Sequence, residues 1–395
     1  MNVCSDAVYL ISCLLNDTQP ASQRLEAIDL KALYAFTQEH SLAGITAFAL
    51  EHAGIHDGAF TWAKGQAVRK AVMLGMDREN VLRELESAGI WYMLLKGSVL
   101  MDYYPAVGMR EAADCDILID GSRAYDVKAI MQGLGFKVEE FGEFHNDEYL
   151  KPPLSNFEMH RVLFSDTREA KLCEYYADTK SRLLKDEGNN YGWHFSNEDF
   201  YVYMTAHEYK HYRLGGTGLR SLVDVYVFLK RFSESLDWGY LAGELDTAGL
   251  SDFERENRGL AVKLFDGDRL TNGDTLSHGD SLTNGDTLTN GNTQPLTHGE
   301  RQLLEYIINS GTYGNADNFV RNRMLHSHSQ TKTQYILSRI FLPMSEIRDQ
   351  YPFFYRHKSL IPILIIRRLV RALTKKKHST LQEIRAILKM QQHSS

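Results

Sequence analysis

Two aspartates at the start of an apolar segment have the spacing best suited to chemistry in this sequence. Asp114 and Asp116 lie two positions apart, and the run 117–119 that follows them is apolar. Because side chains alternate between the two faces of a β-strand, carboxylates at positions i and i+2 project from the same face. Mg²⁺ is bound in proteins through one or two carboxylates together with substrate phosphates, and Mn²⁺ accepts the same oxygen ligands. The pair is therefore a candidate site for Mg²⁺, with Mn²⁺ as the alternative ion.

A predicted strand, turn and short helix precede the two aspartates. Residues 91–98 are typical of a short buried strand that runs into a turn at Gly97 and Ser98. Gly97 has no side chain to hold a triphosphate away from the backbone. Ser98 can cap the following helix and can present its hydroxyl and amide to phosphate. Lys96 and Arg110 are further candidate phosphate contacts.

A second alternating segment, at 156–163, offers a third carboxylate. Glu158 occupies the centre of this predicted strand, and His160 shares its face. We expect Glu158 to complete the site. We expect His160 to fill the polar side of the strand rather than to orient the carboxylate.

The order of these parts resembles the nucleotidyltransferase superfamily that includes polymerase beta and the antibiotic nucleotidyltransferases. A narrower resemblance is to the bacterial family known as uncharacterised nucleotidyltransferase. It is carried by the segments 94–98, 103–110, 114–119 and 158–160. The resemblance implies an α+β fold, in which a small mixed-sheet nucleotidyltransferase domain is flanked by N- and C-terminal helical regions.

The same resemblance implies transfer of NMP from an NTP donor, expected to be ATP, with release of pyrophosphate. Two divalent ions about 3.5–4 Å apart can stabilise the entering and leaving oxygens of such an in-line displacement. Asp114, Asp116 and Glu158 are then the expected metal ligands and catalytic residues, and Glu158 is also the expected base for the attacking hydroxyl. A small molecule, a protein side chain and an RNA end all remain open as acceptor.

A His-rich helix and an Arg-Asp-bearing helix follow the predicted catalytic unit. By the resemblance, His211, Arg220 and Asp224 are expected to line the far side of the nucleotide cleft. A buried ion pair between the two helices is the alternative interpretation.

The segment 207–211 also matches the pattern H-E-x-x-H, which on a helix can bind zinc. Lys210 places a charge inside the motif, and no third ligand follows at the usual spacing, so a zinc metallopeptidase is the weaker hypothesis. A non-catalytic nucleotide-binding or scaffold protein is the other alternative. The three carboxylates argue against it, because a binder has no need of them.

The composition is that of an ordinary globular protein, with 43% hydrophobic and 24% charged residues among 395. The net charge of −7 argues against a dedicated nucleic-acid binder and gives no support to RNA as a partner. Four scattered cysteines lack the spacing of a disulfide framework or zinc ribbon, which favours a cytoplasmic location. No segment predicts a membrane span.

Changes of pattern along the chain predict three regions. Residues 1–88 form a helical N-terminal region, 89–165 the α/β catalytic domain, and 166–395 a helical C-terminal region. A Gly-Asp hexapeptide repeat at 267–291 predicts a flexible insertion at about 266–299 rather than a β-helix. The basic residues of the final segment are expected to form a solvated helix face rather than to guide RNA or an anionic surface.

Overall fold

A computed structural model describes residues 3–142, 145–165, 169–266, 295–312, 340–344, 347–348 and 351–374. The chain begins with five helices: α1 (Val3–Leu15), α2 (Ser22–Leu25), α3 (Leu30–Glu39), α4 (Ala43–His52) and α5 (Gly58–Ser87). Aspartates start two of them. Asp29 accepts hydrogen bonds from the first amides of α3, and Asp57 does the same for α5. The predicted helical start of the chain is confirmed.

A seven-stranded mixed sheet follows, in the order β3-β4-β5-β2-β1-β7-β6. Its strands, with the two α-helices that lie between the first three of them, are β1 (Tyr92–Leu94), α6 (Lys96–Met101), β2 (Cys115–Ile119), α7 (Ala124–Gly133), β3 (Lys137–Glu140), β4 (Asn146–Lys151), β5 (Ser155–His160), β6 (Leu184–Lys185) and β7 (Gly192–His194). The central strand β2 is antiparallel to β1 and parallel to β5. The sheet thus continues past the predicted limit at residue 165, while the division into domains stays a prediction.

One further α-helix of the described residues lies between β5 and β6 along the chain, and the remaining α-helices follow β7. They are α8 (Ala170–Tyr175), α9 (Asn197–Leu214), α10 (Leu219–Phe232), α11 (Trp238–Ala248), α12 (Ser251–Phe265), α13 (His298–Ser310), α14 (Pro352–Arg356) and α15 (Ile361–Thr374). Ser196 caps α9 by accepting a 3.0 Å hydrogen bond from the amide of Asp199, as predicted. None of the helices in the described part of the chain is long and apolar enough to cross a membrane. The predicted α+β fold is confirmed.

Two cores cover the two faces of the sheet. Ile117 and Ile119 of β2 pack on one face with residues of α5 and α7. Leu118, between them, belongs to the second core, which α1, α4 and α9–α12 form together. Since side chains alternate along a strand, the even-numbered Asp116 shares the face of Leu118. The candidate carboxylate therefore lies on the side of the sheet that faces the bundle containing α9 and α10.

The predicted repeat insertion lies almost entirely outside the described residues, but its flanks are held together. Lys263, near the end of α12, donates to Glu300 Oε2 at 2.6 Å and to the carbonyl of Pro295 at 3.3 Å. Thr297 and Glu300 form a capping box that starts α13.

Replacing residues 267–291 by a short Gly-Ser linker should therefore leave the melting temperature within about 2 °C of wild type, because both flanks keep their contacts and loop length costs little entropy. Thermal unfolding followed by circular dichroism measures this. Exchanging Lys263 for methionine, which removes the tether, should lower the melting temperature more than the deletion does. A deletion that unfolds the protein would mean that the repeat is structural.

Candidate functional site

Three polar side chains come together on the bundle-facing side of β2 and β5. Asp116 lies directly opposite Glu158 in the parallel register. The Nε2 atom of His160 lies 3.1 Å from Asp116 Oδ1 and 3.6 Å from Glu158 Oε2. Within the described residues, one ligand atom from each of the three lies within 4.8 Å of the others. This spacing suits a shared cation, and we call the three residues the acidic triad.

The expectation that His160 only fills the polar side of its strand is wrong. Because β2 and β5 run parallel and in register, His160 lies two positions beyond Glu158 on the same face, and its imidazole reaches back to both carboxylates. Asn146 of β4, the cross-strand neighbour of His160, donates to Glu158 Oε2 at 2.7 Å. Both carboxylates of the triad are thus oriented by neighbouring polar side chains.

Asp114 precedes β2 by one residue and lies outside the triad. Burial and the nearby charge of Asp116 raise the pKa of its carboxyl to about 6, although the charges of Arg220 and Lys70 oppose them. Asp114 is therefore close enough to Asp116 for the two charges to repel. Its predicted role as a metal ligand stays a prediction.

Glu158 is held in an environment that disfavours its charge. Burial and the charges of Asp116, Asp114 and Glu148 together raise its pKa to about 8, although the charge of Lys210 opposes them. Glu148 lies directly opposite Glu158 in the β4–β5 register. Four carboxylates, those of Asp114, Asp116, Glu148 and Glu158, thus lie close together, and a divalent cation would offset their mutual repulsion. The two carboxylates of the acidic triad suit an oxygen-preferring ion such as Mg²⁺, and its imidazole lies close enough to orient them.

The raised pKa of Glu158 predicts that the metal-free protein loses stability as pH rises. In the folded state the Glu158 carboxyl keeps its proton up to about pH 8, whereas in the unfolded chain it loses the proton at about pH 4.3. The free energy of unfolding therefore decreases as pH rises between these two values. We expect the melting temperature to fall by about 5 °C between about pH 6 and pH 8.5. Calorimetry in EDTA measures it.

Glu158→Gln is the matched variant for this experiment, because it keeps the shape of the side chain and removes its titration. The decrease in melting temperature with pH should be markedly smaller in Glu158→Gln than in wild type. Saturating Mg²⁺ should also make the decrease smaller in wild type. Equal falls in wild type and Glu158→Gln would contradict the assignment of the pH dependence to this residue.

The turn at Gly97 differs from the prediction in one respect. Helix α6 begins at Lys96 after the N-cap residue Leu95, three residues earlier than a cap at Ser98 implies, so the interpretation of Ser98 as the cap is wrong. The amide of Ser98 donates to the carbonyl of Leu95 at 3.1 Å, and its hydroxyl lies 3.4 Å from Cys115 Sγ. A Cβ added at Gly97 would meet only Arg110, at 3.6 Å, so this position leaves the backbone open to approach.

Lys96 and Arg110 meet a common partner, Asp224 of α10. Arg110 donates to both carboxylate oxygens of Asp224, from Nε at 2.8 Å and from Nη2 at 3.0 Å. Lys96 Nζ lies 3.8 Å from the same carboxylate, and the hydroxyl of Tyr104 donates to it at 2.8 Å. Arg110 Nη1 also donates to the carbonyl of Gly97 at 3.3 Å. We call Lys96, Arg110, Tyr104 and Asp224 the buried ionic cluster.

This cluster revises the predicted ion pair. The partner of Asp224 is on α6 and the segment before β2, not on the adjacent helix α9. Burial alone would raise the pKa of Asp224, but the charges of Arg110 and Lys96 outweigh it and hold the pKa below its usual value. The carboxylate is therefore ionised and fully paired, which ties α10 to the turn at Gly97.

Helix α9 places His207, Lys210 and His211 opposite the sheet. The imidazole rings of His207 and His211 lie 4.6 Å apart. Glu208 instead points into the bundle, where it accepts a 3.0 Å hydrogen bond from Asn257. Within the described residues, neither histidine belongs to a group of three possible metal ligands, and the motif glutamate is buried elsewhere, so the geometry does not support a zinc peptidase.

Arg220 and Lys70 bring positive charge close to Asp114, and of these two residues only Arg220 was predicted from the sequence. Arg220 donates from Nη1 to the carbonyl of Glu111 at 3.0 Å. Lys70 of α5, which the sequence did not single out, donates to the carbonyl of Ala113 at 2.7 Å. No local signal could have identified Lys70, since it stands in the middle of a long helix remote in sequence from Asp114.

Comparison with known proteins gives one family. The family model for uncharacterised nucleotidyltransferases matches residues 26–266, more than half of the chain. That range contains α3 to α12 and every strand of the sheet, and therefore the acidic triad and the buried ionic cluster. No curated protein and no solved structure gives a significant match. The chain belongs to the uncharacterised nucleotidyltransferase family.

Proposed function

We propose that this protein is an active, metal-dependent nucleotidyltransferase that moves NMP from an NTP to an acceptor hydroxyl and releases pyrophosphate. The observation that carries the proposal is the in-register pairing of Asp116 with Glu158, with His160 in contact with both. A scaffold would have no reason to keep such a concentration of like charge partly buried, because it costs stability.

Asp116 and Glu158 would hold the cation, with Asp114 close by as the third carboxylate. When bound, the ion neutralises charge on the phosphate oxygens and stabilises the leaving pyrophosphate. We assign His160 to orienting Asp116 through the 3.1 Å contact, because an imidazole is a poor ligand for Mg²⁺. Mg²⁺ is accordingly the proposed ion, and Mn²⁺, which tolerates nitrogen ligands better, is the alternative.

Glu158 is the proposed general base. The acceptor oxygen attacks the α-phosphorus, the bond from that phosphorus to the bridging oxygen breaks, and the hydroxyl proton passes to the Glu158 carboxylate. Its position beside Asp116, at the proposed metal site, puts this carboxylate where the acceptor hydroxyl would lose its proton. The hydrogen bond from Asn146 holds its oxygen Oε2 in place.

The buried ionic cluster would shape the nucleotide cleft. Arg110, fixed by Asp224, donates to the carbonyl of Gly97 and so supports the turn that we propose receives the triphosphate. Positive charge close to the carboxylates is also available from Arg220 and Lys70. The residues proposed to contact the nucleotide, or to position those contacts from the buried ionic cluster, are Lys96, Gly97, Ser98, Arg110, His211, Arg220 and Asp224.

The donor and compartment follow from less specific observations. We propose the cytoplasm as the site of the reaction, because none of the four cysteines forms a disulfide within the described residues and their spacing is not that of a disulfide framework. ATP is the proposed donor, as the resemblance to nucleotidyltransferases implies. The acceptor is a hydroxyl group on a small molecule, a protein or an RNA end.

Calorimetric titration with each of the four NTPs and Mg²⁺ tests the proposal without knowledge of the acceptor. Wild type should bind at least one NTP, and the double variant Asp114→Asn, Asp116→Asn should bind it at least about tenfold more weakly, because charge that holds the metal-bound phosphates is lost. Asp126→Asn, at an exposed ion pair with Arg123, is the matched control. Equal binding by wild type and the double variant would overturn the site.

A further inference from the structure

The helix α15 exposes a continuous apolar stripe that the nucleotidyltransferase site does not use. Ile363, Ile366 and Val370 are 56%, 61% and 54% exposed. Their spacing of three and four residues places them on one face of the helix. Leu369, 43% exposed, lies beside them, whereas Leu364 on the opposite side is buried. The helix is therefore anchored by one face and presents a row of large aliphatic side chains on the other.

The sequence around this stripe is strongly cationic. Residues 351–382 contain eight lysines and arginines and no aspartate or glutamate, in a chain whose net charge is −7. Arg367 follows Ile363 by four residues and is exposed at the edge of the stripe. Arg368 donates to the carbonyl of Ile340 at 3.2 Å, which helps to hold the buried side of α15 in place. The region thus combines exposed apolar area with concentrated positive charge.

We propose that α15 lies flat on an anionic membrane surface, with Ile363, Ile366 and Val370 at the boundary between headgroups and acyl chains. An amphipathic helix with large aliphatic residues on one face and arginine or lysine at its edges binds interfaces in this way. The surrounding cations are attracted to anionic headgroups, and the long arginine stem of Arg367 can reach the lipid phosphates from the edge of the stripe.

The positive charge and the apolar stripe together favour an anionic membrane as the partner of α15 over an RNA or a second copy of the chain. An RNA would satisfy the cations, but its phosphates would leave three isoleucine and valine side chains in water. A second copy of the chain would cover the stripe, but it would place Arg367 and the other basic residues beside this face against their own copies, and the segment 351–374 contains no acidic residue to pair with them. An anionic lipid surface satisfies both properties at once.

Sedimentation of the full chain with vesicles tests the proposal. Vesicles of phosphatidylcholine with about 30 mol% phosphatidylserine should bind the protein at least about tenfold more strongly than pure phosphatidylcholine vesicles, and salt should weaken the binding. The double variant Ile366→Asp, Val370→Asp should reduce that binding at least about tenfold, because it places charge in the apolar boundary. It changes exposed positions and should leave the melting temperature close to wild type.

Val72→Asp, Met76→Asp is the matched control, since these residues of α5 share the same i, i+4 spacing and are 48% and 63% exposed. Unchanged vesicle binding by this control supports the proposal. No vesicle binding by wild type, or equal losses in both double variants, overturns it. If the protein prefers single-stranded RNA to vesicles and the α15 double variant keeps that preference, the proposal is overturned in favour of RNA. If the wild type is an oligomer that the α15 double variant dissociates, the proposal is overturned in favour of a second copy of the chain. NTP binding is independent of all these results.

Discussion

Asp116→Asn should reduce nucleotide transfer by about 10³-fold or more and, at the same time, raise the melting temperature of the metal-free protein. A loss of 10³ corresponds to about 4 kcal/mol of barrier, the scale expected when a ligand to the catalytic ion is removed. Stability changes in the opposite direction because Asp116 raises the pKa of Glu158, and removing its charge relieves that repulsion. The combination of lower activity and higher stability is specific to a functional cluster of like charges.

Transfer is measured as label from an α-labelled NTP that becomes attached to any component of a cell extract, and stability as thermal unfolding in EDTA. His160→Gln should cost less, about 10- to 100-fold, since His160 orients a ligand in our assignment. Asp126→Asn should change neither quantity. If Asp116→Asn transferred label as well as wild type, or if it were destabilised like an ordinary structural variant, the assignment of the acidic triad would be wrong.

Asp224→Asn should be the most destabilising single exchange among the site residues, by about 3–5 kcal/mol. The substitution leaves Arg110 and Lys96 buried with no opposite charge, and removing one partner of a buried ion pair costs far more than the pair contributes. Tyr104 keeps an acceptor in the amide, so the loss is one of charge and not of shape. Urea unfolding measures the change in the free energy of unfolding.

Asp252→Asn is the control for this experiment. Asp252 pairs with Arg255 on the surface, and both side chains are largely exposed, so its loss should cost under about 1 kcal/mol. Combining Asp224→Asn with Arg110→Met should recover part of the lost stability, because the uncompensated arginine is removed as well. A change below about 1 kcal/mol for Asp224→Asn would mean that water reaches the cluster and that it does not tie α10 to the turn.

Much of the local structure was predictable from the sequence. The alternation of polar and apolar residues around Asp116 and Glu158 indicated strands, and both lie in strands, at matched register positions. Helix α9 starts at its predicted cap, Ser196. The cap of α6 was predicted incorrectly, because the helix starts after Leu95 without a side-chain cap, and Ser98 lies in its first turn with its hydroxyl against Cys115 of β2.

By itself, then, the sequence determined the type of the main elements, the strands that carry Asp116 and Glu158, and the family, because these follow from periodicity, capping residues and short motifs. Tertiary structure alone decided which polar groups are partners. It brought His160 to Asp116, Lys70 to the residue before Asp114, and Asp224 to Arg110. The physical reason is that a local pattern sets the direction of a side chain, whereas an ionic or hydrogen-bonded partner is set by strand register and helix packing between residues remote in sequence.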